Sequence, residues 1–105
     1  LFVWVTVMSA PTEDRALVDA GLKALAMDSG PPVVAGMPEI EFGRASDEHG
    51  ILDISKTNHP VRLGDKLKLI PGHCDPTVNM YDWYVGYRGD RVEALWPIVA
   101  RGMLR

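Results

Sequence analysis

This sequence of 105 residues holds a single cysteine, Cys74. That scarcity excludes an internal disulfide framework, a paired-thiol redox motif and a zinc finger, and it fits a reducing, cytoplasmic compartment. Long apolar runs are also missing: none approaches the roughly 20 residues that a membrane helix requires, so no membrane partner is expected. Positive charge is in short supply, with 11 Lys and Arg against 14 Asp and Glu and a formal net charge of −3. The basic residues are scattered, Lys66 and Lys68 merely alternating along a strand-like run, so nothing offers the clustered positive surface that nucleic-acid phosphates demand. Finally, Leu1-Phe2-Val3-Trp4 opens directly in a β-type run, without an initiator Met, a basic flank or a small-residue cleavage site, so these residues are not expected to be a leader. We expect residues 1–105 to be one domain that begins partway through a longer chain.

What is present is ordinary for a soluble globular domain, 47% hydrophobic and 24% charged, and long enough to fold around one core. Residues 1–9, rich in Val, Phe, Trp and Thr, predict a half-buried strand that Pro11 should end. Residues 15–21 predict a second strand and residues 22–27 one or two helical turns. Residues 28–39, with three prolines and two glycines, predict an irregular stretch. Residues 41–49 and 51–54 read as a hairpin around Gly50, and residues 65–70 alternate polar and apolar like a strand with one wet face. Residues 81–88 and 91–96 read as a second hairpin turning at Gly89-Asp90. That turn accounts for Arg88-Gly89-Asp90, which also spells an integrin-binding tripeptide. Residues 98–104 offer a last short strand. The sum is a mainly β fold, a small antiparallel barrel or sandwich of about seven strands with at most one short helix. Trp4, Trp83 and Trp96 are expected in its core.

The segment Pro71-Gly72-His73-Cys74-Asp75-Pro76-Thr77-Val78-Asn79 carries the most chemistry. On an extended backbone, residues two apart point the same way, so His73 and Asp75 would converge while Cys74 points elsewhere. An imidazole nitrogen and a carboxylate oxygen suit Zn²⁺ or Mn²⁺, and two protein ligands leave coordination positions open, as in a catalytic rather than a structural site. Spacing alone leaves the alternative open, in which His73 caps a loop and Asp75 organises the turn before Pro76. Cys74 reads as a small buried hydrophobe rather than a nucleophile. In Ser46-Asp47-Glu48-His49-Gly50, a strand would place Asp47 and His49 on one face and Glu48 on the other, whereas a solvated hairpin end would leave them without a joint role. His59, before Pro60, has no nearby partner and is expected to be exposed.

These blocks, with Tyr81-Asp82-Trp83-Tyr84-Val85 and Arg91-Val92-Glu93-Ala94-Leu95-Trp96-Pro97, resemble the C-terminal β-domain of the D-threonine aldolase and D-serine dehydratase family, alanine-racemase-like pyridoxal-phosphate enzymes of fold type III. The resemblance runs collinearly over nearly the whole chain. It implies that His73 and Asp75 are the metal pair, and that Asp47 and His49 lie on the substrate side of the active site with no individual role assigned. Asp75 stands where the dehydratase branch carries Cys, which favours the aldolase branch. The implied enzyme cleaves a D-β-hydroxy-α-amino acid into glycine and an aldehyde, with Mn or Zn acting on the β-hydroxyl. Its pyridoxal phosphate, the electron sink, belongs to an N-terminal (β/α)₈ barrel absent from this chain, and Lys23, Lys56, Lys66 and Lys68 lie outside any such context. The implied partners are that barrel, of the same or a neighbouring chain in a homodimer, and a small D-amino acid. A D-serine dehydratase-type ammonia-lyase and a freestanding β-barrel interaction module are the competing expectations.

Overall fold

The computed structural model describes residues 1–101. Its first strand, β1 (Val3–Thr12), shows how the sequence builds the core: Val3, Val5 and Val7 are buried, while Trp4 and Met8 point outward on the alternate positions. The same alternation buries Ala16 and Val18 in β2 (Arg15–Val18), Val34 in β3 (Val33–Val34) and Phe42 in β4 (Glu41–Ala45). It also buries Leu52 in β5 (Gly50–Asp53), and Leu67 and Leu69 in β6 (Lys66–Ile70). These strands close into a barrel in the order β1-β2-β5-β4-β3-β6. All six neighbour pairs are antiparallel. A closed barrel leaves no unpaired edge, which suits a small domain of short strands.

After β6, a single-turn helix α1 (Cys74–Val78) leads into a separate two-stranded hairpin, β7 (Trp83–Arg88) with β8 (Arg91–Pro97). Neither hairpin strand comes within 8 Å, Cα to Cα, of a barrel strand. Side chains bridge the gap. Tyr87 meets Trp4 edge-to-face with ring centroids 5.7 Å apart, and Lys68 Nζ sits 4.9 Å from the Trp4 ring, 5.2 Å from Tyr87 and 5.5 Å from Phe2.

The mainly β barrel and the 81–96 hairpin match the expectation from sequence, but the one short helix falls at Cys74–Val78 rather than at 22–27, and several local readings change. Pro11 does not end β1. A register shift between Ser9 and Thr12 lets the strand absorb a residue without an N–H, and the turn falls at Glu13-Asp14 instead. The 22–27 run forms one turn, in which the amides of Ala24 and Leu25 both donate to the Gly21 carbonyl. Within the irregular 28–39 stretch, Val33–Val34 pair with both β4 and β6 and complete the barrel. Gly50 is not the hairpin turn; it begins β5, and the turn is 46–49. Residues 98–101 form no strand, and the rest of the expected 98–104 strand lies outside the described residues.

The three tryptophans are not core. Trp4, Trp83 and Trp96 are 53–55% exposed, because the period of two turns Trp4 away from its buried valine neighbours and the other two belong to a hairpin outside the barrel. Cys74, expected to be buried, is exposed. His59 is exposed, as expected.

Candidate functional site

The antiparallel order fixes where the candidate residues lie. Because β1, β3 and β5 run one way around the barrel and β2, β4 and β6 the other, the connections that follow β2, β4 and β6 all emerge at one rim. Those connections are residues 19–32, 46–49 and 71–82. The fold thus gathers Asp47, His49, His73 and Asp75 at one end of the barrel. The loops of the opposite end, which include His59, take no part.

Segment 71–79 is not extended. His73 has extended backbone angles, φ −144° and ψ 113°, but it is the N-cap residue of α1, and Asp75 sits in that helix's first turn. Extended-strand geometry therefore does not relate the two side chains. The reason is local: Asp-Pro-Thr at a helix start combines an acidic residue with a proline whose missing N–H costs nothing there. Cys74 Sγ lies 3.5 Å from Asp75 Oδ1, and Asp75 itself is exposed.

The partner of His73 comes from far along the chain. His73 Nδ1 lies 2.7 Å from Asp28 Oδ2, with Ser29 Oγ 3.4 Å from the same nitrogen. A carboxylate only accepts, so the ring N–H at Nδ1 is the donor. This hydrogen bond is the main cause that holds the Asp28 carboxyl below the usual carboxylate range. A neutral ring held this way turns the Nε2 lone pair outward, the arrangement by which a second carboxylate orients metal-binding histidines. Both side chains are about half exposed, at 42% and 55%, so the pair orients the ring rather than stabilising the fold.

Three further contacts seat this segment on the 21–30 loop. The Thr77 hydroxyl, 1% exposed, donates to the His73 carbonyl at 2.8 Å and accepts from the Ala26 amide at 3.1 Å. The Tyr81 hydroxyl donates to the Ala24 carbonyl at 2.9 Å, and burial raises its pKa, keeping the donor protonated. At Gly72, an added Cβ would fall 2.5 Å from the Gly30 carbonyl oxygen, so only glycine allows the two loops this approach. Thr77→Val would leave the Ala26 N–H and the His73 carbonyl without their buried partner. It is expected to destabilise the domain by about 2 kcal/mol, read by urea denaturation, with Thr77→Ser retaining most of the stability.

Asp47 and His49 lie in the exposed turn between β4 and β5, the hairpin-end alternative rather than the strand one. The Ser46 amide donates to the His49 carbonyl at 2.9 Å, and the His49 amide to Ser46 Oγ at 3.2 Å. The turn backs onto the other half of the 21–30 loop. Leu22 and Lys23 amides donate to the carbonyls of Ser46 and Asp47, both at 2.9 Å, and Lys23 Nζ pairs with Glu48 at 3.1 Å. One loop therefore carries both candidate clusters. Asp28, Ser29, Thr77 and Tyr81 were not singled out in the sequence. Asp28 is 45 residues from His73, and no local pattern marks such a pairing.

The donor set fits a divalent ion in part: an imidazole whose Nδ1 is held by Asp28, so that Nε2 is the ligating nitrogen, and an exposed carboxylate in the helix turn that His73 caps. Among the described residues no group of three or more His, Cys, Asp or Glu comes together to hold a metal. Pyridoxal phosphate has no fitting lysine here. Lys23 and Lys56 are paired with Glu48 and Glu41, Lys66 donates to the Thr6 hydroxyl, and Lys68 sits among aromatic rings. The hydrogen bond to Glu48 raises the Lys23 pKa, opposite to what a nucleophilic lysine needs.

Comparison with known proteins agrees with this architecture. The 3-hydroxy-D-aspartate aldolase of Paracoccus denitrificans is 48% identical over 102 residues, which is 97% of this chain and 26% of that protein. The crystal structure of a D-threonine aldolase from Filomicrobium marinum superposes with a TM-score of 0.91 at 42% identity, covering 99% of this chain and 29% of that one. A D-threo-3-hydroxyaspartate dehydratase from a Delftia species superposes at 0.75 with 25% identity, over 91% of this chain and 31% of its own. The chain thus spans about a quarter of the length of the curated relative it matches. Residues 1–87 match the family model described as "Putative serine dehydratase domain", and the chain belongs to that family, as a β-barrel domain similar to part of the D-threonine and 3-hydroxy-D-aspartate aldolases.

Proposed function

We propose that this chain is the C-terminal, metal-bearing β-domain of an aldolase-type lyase that cleaves D-β-hydroxy-α-amino acids to glycine and an aldehyde. The observation that carries the reading is the Asp28–His73 hydrogen bond at Nδ1, which leaves Nε2 as the ring's ligating nitrogen, with Asp75 two residues on in the first turn of α1. Aldolases at 42–48% identity, against a dehydratase at 25%, support the aldolase branch. So does the carboxylate two residues after His73, a harder ligand than a thiolate.

In this reading His73 and Asp75 hold Mn²⁺ or Zn²⁺, which when bound supplies Lewis acidity to the substrate's β-hydroxyl. Asp28 fixes the His73 ring and its tautomer. Asp47 and His49, on the neighbouring turn of the same rim, border the substrate. The lysine and phosphate-binding groups for pyridoxal phosphate come from the larger part of the enzyme. That part, as an N-terminal barrel of the same or a partner subunit, completes the site.

The test is the product of the full-length enzyme carrying this domain, supplied with D-threonine or D-3-hydroxyaspartate. Glycine and an aldehyde are expected; ammonia and a keto acid would replace this reading with the dehydratase one. Asp28→Asn gives a second check within the domain. It is expected to weaken Mn²⁺ or Zn²⁺ binding by about 10–100-fold in calorimetric titration, with the melting temperature little changed. Unaltered metal affinity in that variant would remove Asp28 from the site.

A further inference from the structure

The β7–β8 hairpin is apolar on both sides. Cross-strand pairing puts Val85 opposite Leu95 and Tyr84 opposite Trp96, so one face carries Val85 and Leu95 and the other Tyr84 and Trp96. All four are exposed, at 54%, 60%, 39% and 55%. Val85, with Trp83 and Tyr87 of the same strand, lines an open cleft of about 870 Å³ whose other wall includes Phe2 and Trp4. A lone two-stranded hairpin is marginal in water, and so large an apolar surface is the mark of an interaction site. Trp96 already packs across the strand over Gly86, where an added Cβ would fall 2.6 Å from its ring, so the aromatic face is pre-formed.

Two observations bear on what could cover it. The hairpin follows α1 directly, so it springs from the rim that holds His73, Asp75, Asp47 and His49. A body that completes a site at that rim must pass beside the hairpin. The relatives also carry about three quarters of their length beyond the region this chain matches, which supplies such a body.

We infer that the β7–β8 hairpin, with Phe2 and Trp4, is the clasp that seats the domain on the larger part of the aldolase. The inference rests on the proposed function for the identity of the partner, but its readout uses neither metal nor substrate. Hydrogen exchange is measured on the metal-free full-length enzyme and on the 105-residue chain. In the full-length enzyme, amides of β7 and β8 are expected to exchange at least about tenfold more slowly than in the short chain. The double substitution Leu95→Ser, Trp96→Ser is expected to abolish that difference while barrel-strand amides stay protected. Equal hairpin exchange in the two proteins overturns the clasp. Protection that appears in the short chain as its concentration rises also overturns it, in favour of a second copy. Loss of metal binding at His73 would sink the proposed function and leave this result unmoved.

Discussion

Replacing His73 with alanine in the full-length enzyme is expected, on the proposed function, to lower cleavage by roughly 10²–10³-fold, the share of the barrier that a Lewis acid at the β-hydroxyl would supply. The domain should still fold. The His73 side chain is half exposed, and the contribution of this residue to packing is its backbone carbonyl, which accepts from Thr77 in any variant. The useful measurement pairs a steady-state assay with a metal titration. Both should fall together in His73→Ala, whereas Asp28→Asn should lose affinity but recover activity at saturating metal. An alanine variant that cleaves at the wild-type rate would take His73 out of the mechanism.

Leu69→Ala is expected to cost about 2–5 kcal/mol of folding stability. That is a large part of the 5–15 kcal/mol typical of a domain. Leu69 is fully buried, and its β6 backbone pairs with Val3 of β1 on one side and Val34 of β3 on the other. It therefore sits at the seam where the barrel closes, directly before the segment that presents His73. A shortened side chain there leaves a cavity where β6 meets β1 and β3, which cannot collapse without opening the seam. Denaturant unfolding should show a lowered midpoint. Trp96→Ala, a larger truncation at an exposed site, should move the midpoint of the isolated domain little. If the two variants were equally destabilised, the exposed hairpin would belong to the core and the barrel would not be the stabilising unit.

The strands were legible wherever the period of two was regular. Val3-Val5-Val7, Leu67-Leu69 and the 81–96 hairpin all appear within a few residues of their expected places. Readings failed where a single residue was asked to decide. Pro11 looked like a stop, yet a register shift absorbed it. Gly50 looked like a turn, yet its neighbours formed one. The tryptophans looked like core because of their size, but their side of the strand, not their size, decides burial.

At the site, the residue types were readable and their relations were not. His73, Asp75, Asp47 and His49 were all marked by local sequence, together with the fold class and the family they resemble. Their gathering at one rim depends on the strand order β1-β2-β5-β4-β3-β6, and the partner of His73 depends on how loop 19–32 returns beside α1. Hydrophobic period and turn chemistry act over a few residues, so a sequence by itself determines strands, their buried faces and the chemical vocabulary of the loops. Which loops meet is settled by closure of the barrel, a contact between distant segments that no local pattern encodes. Only the tertiary structure could therefore show Asp28 behind His73 and an uncovered aromatic hairpin beside them.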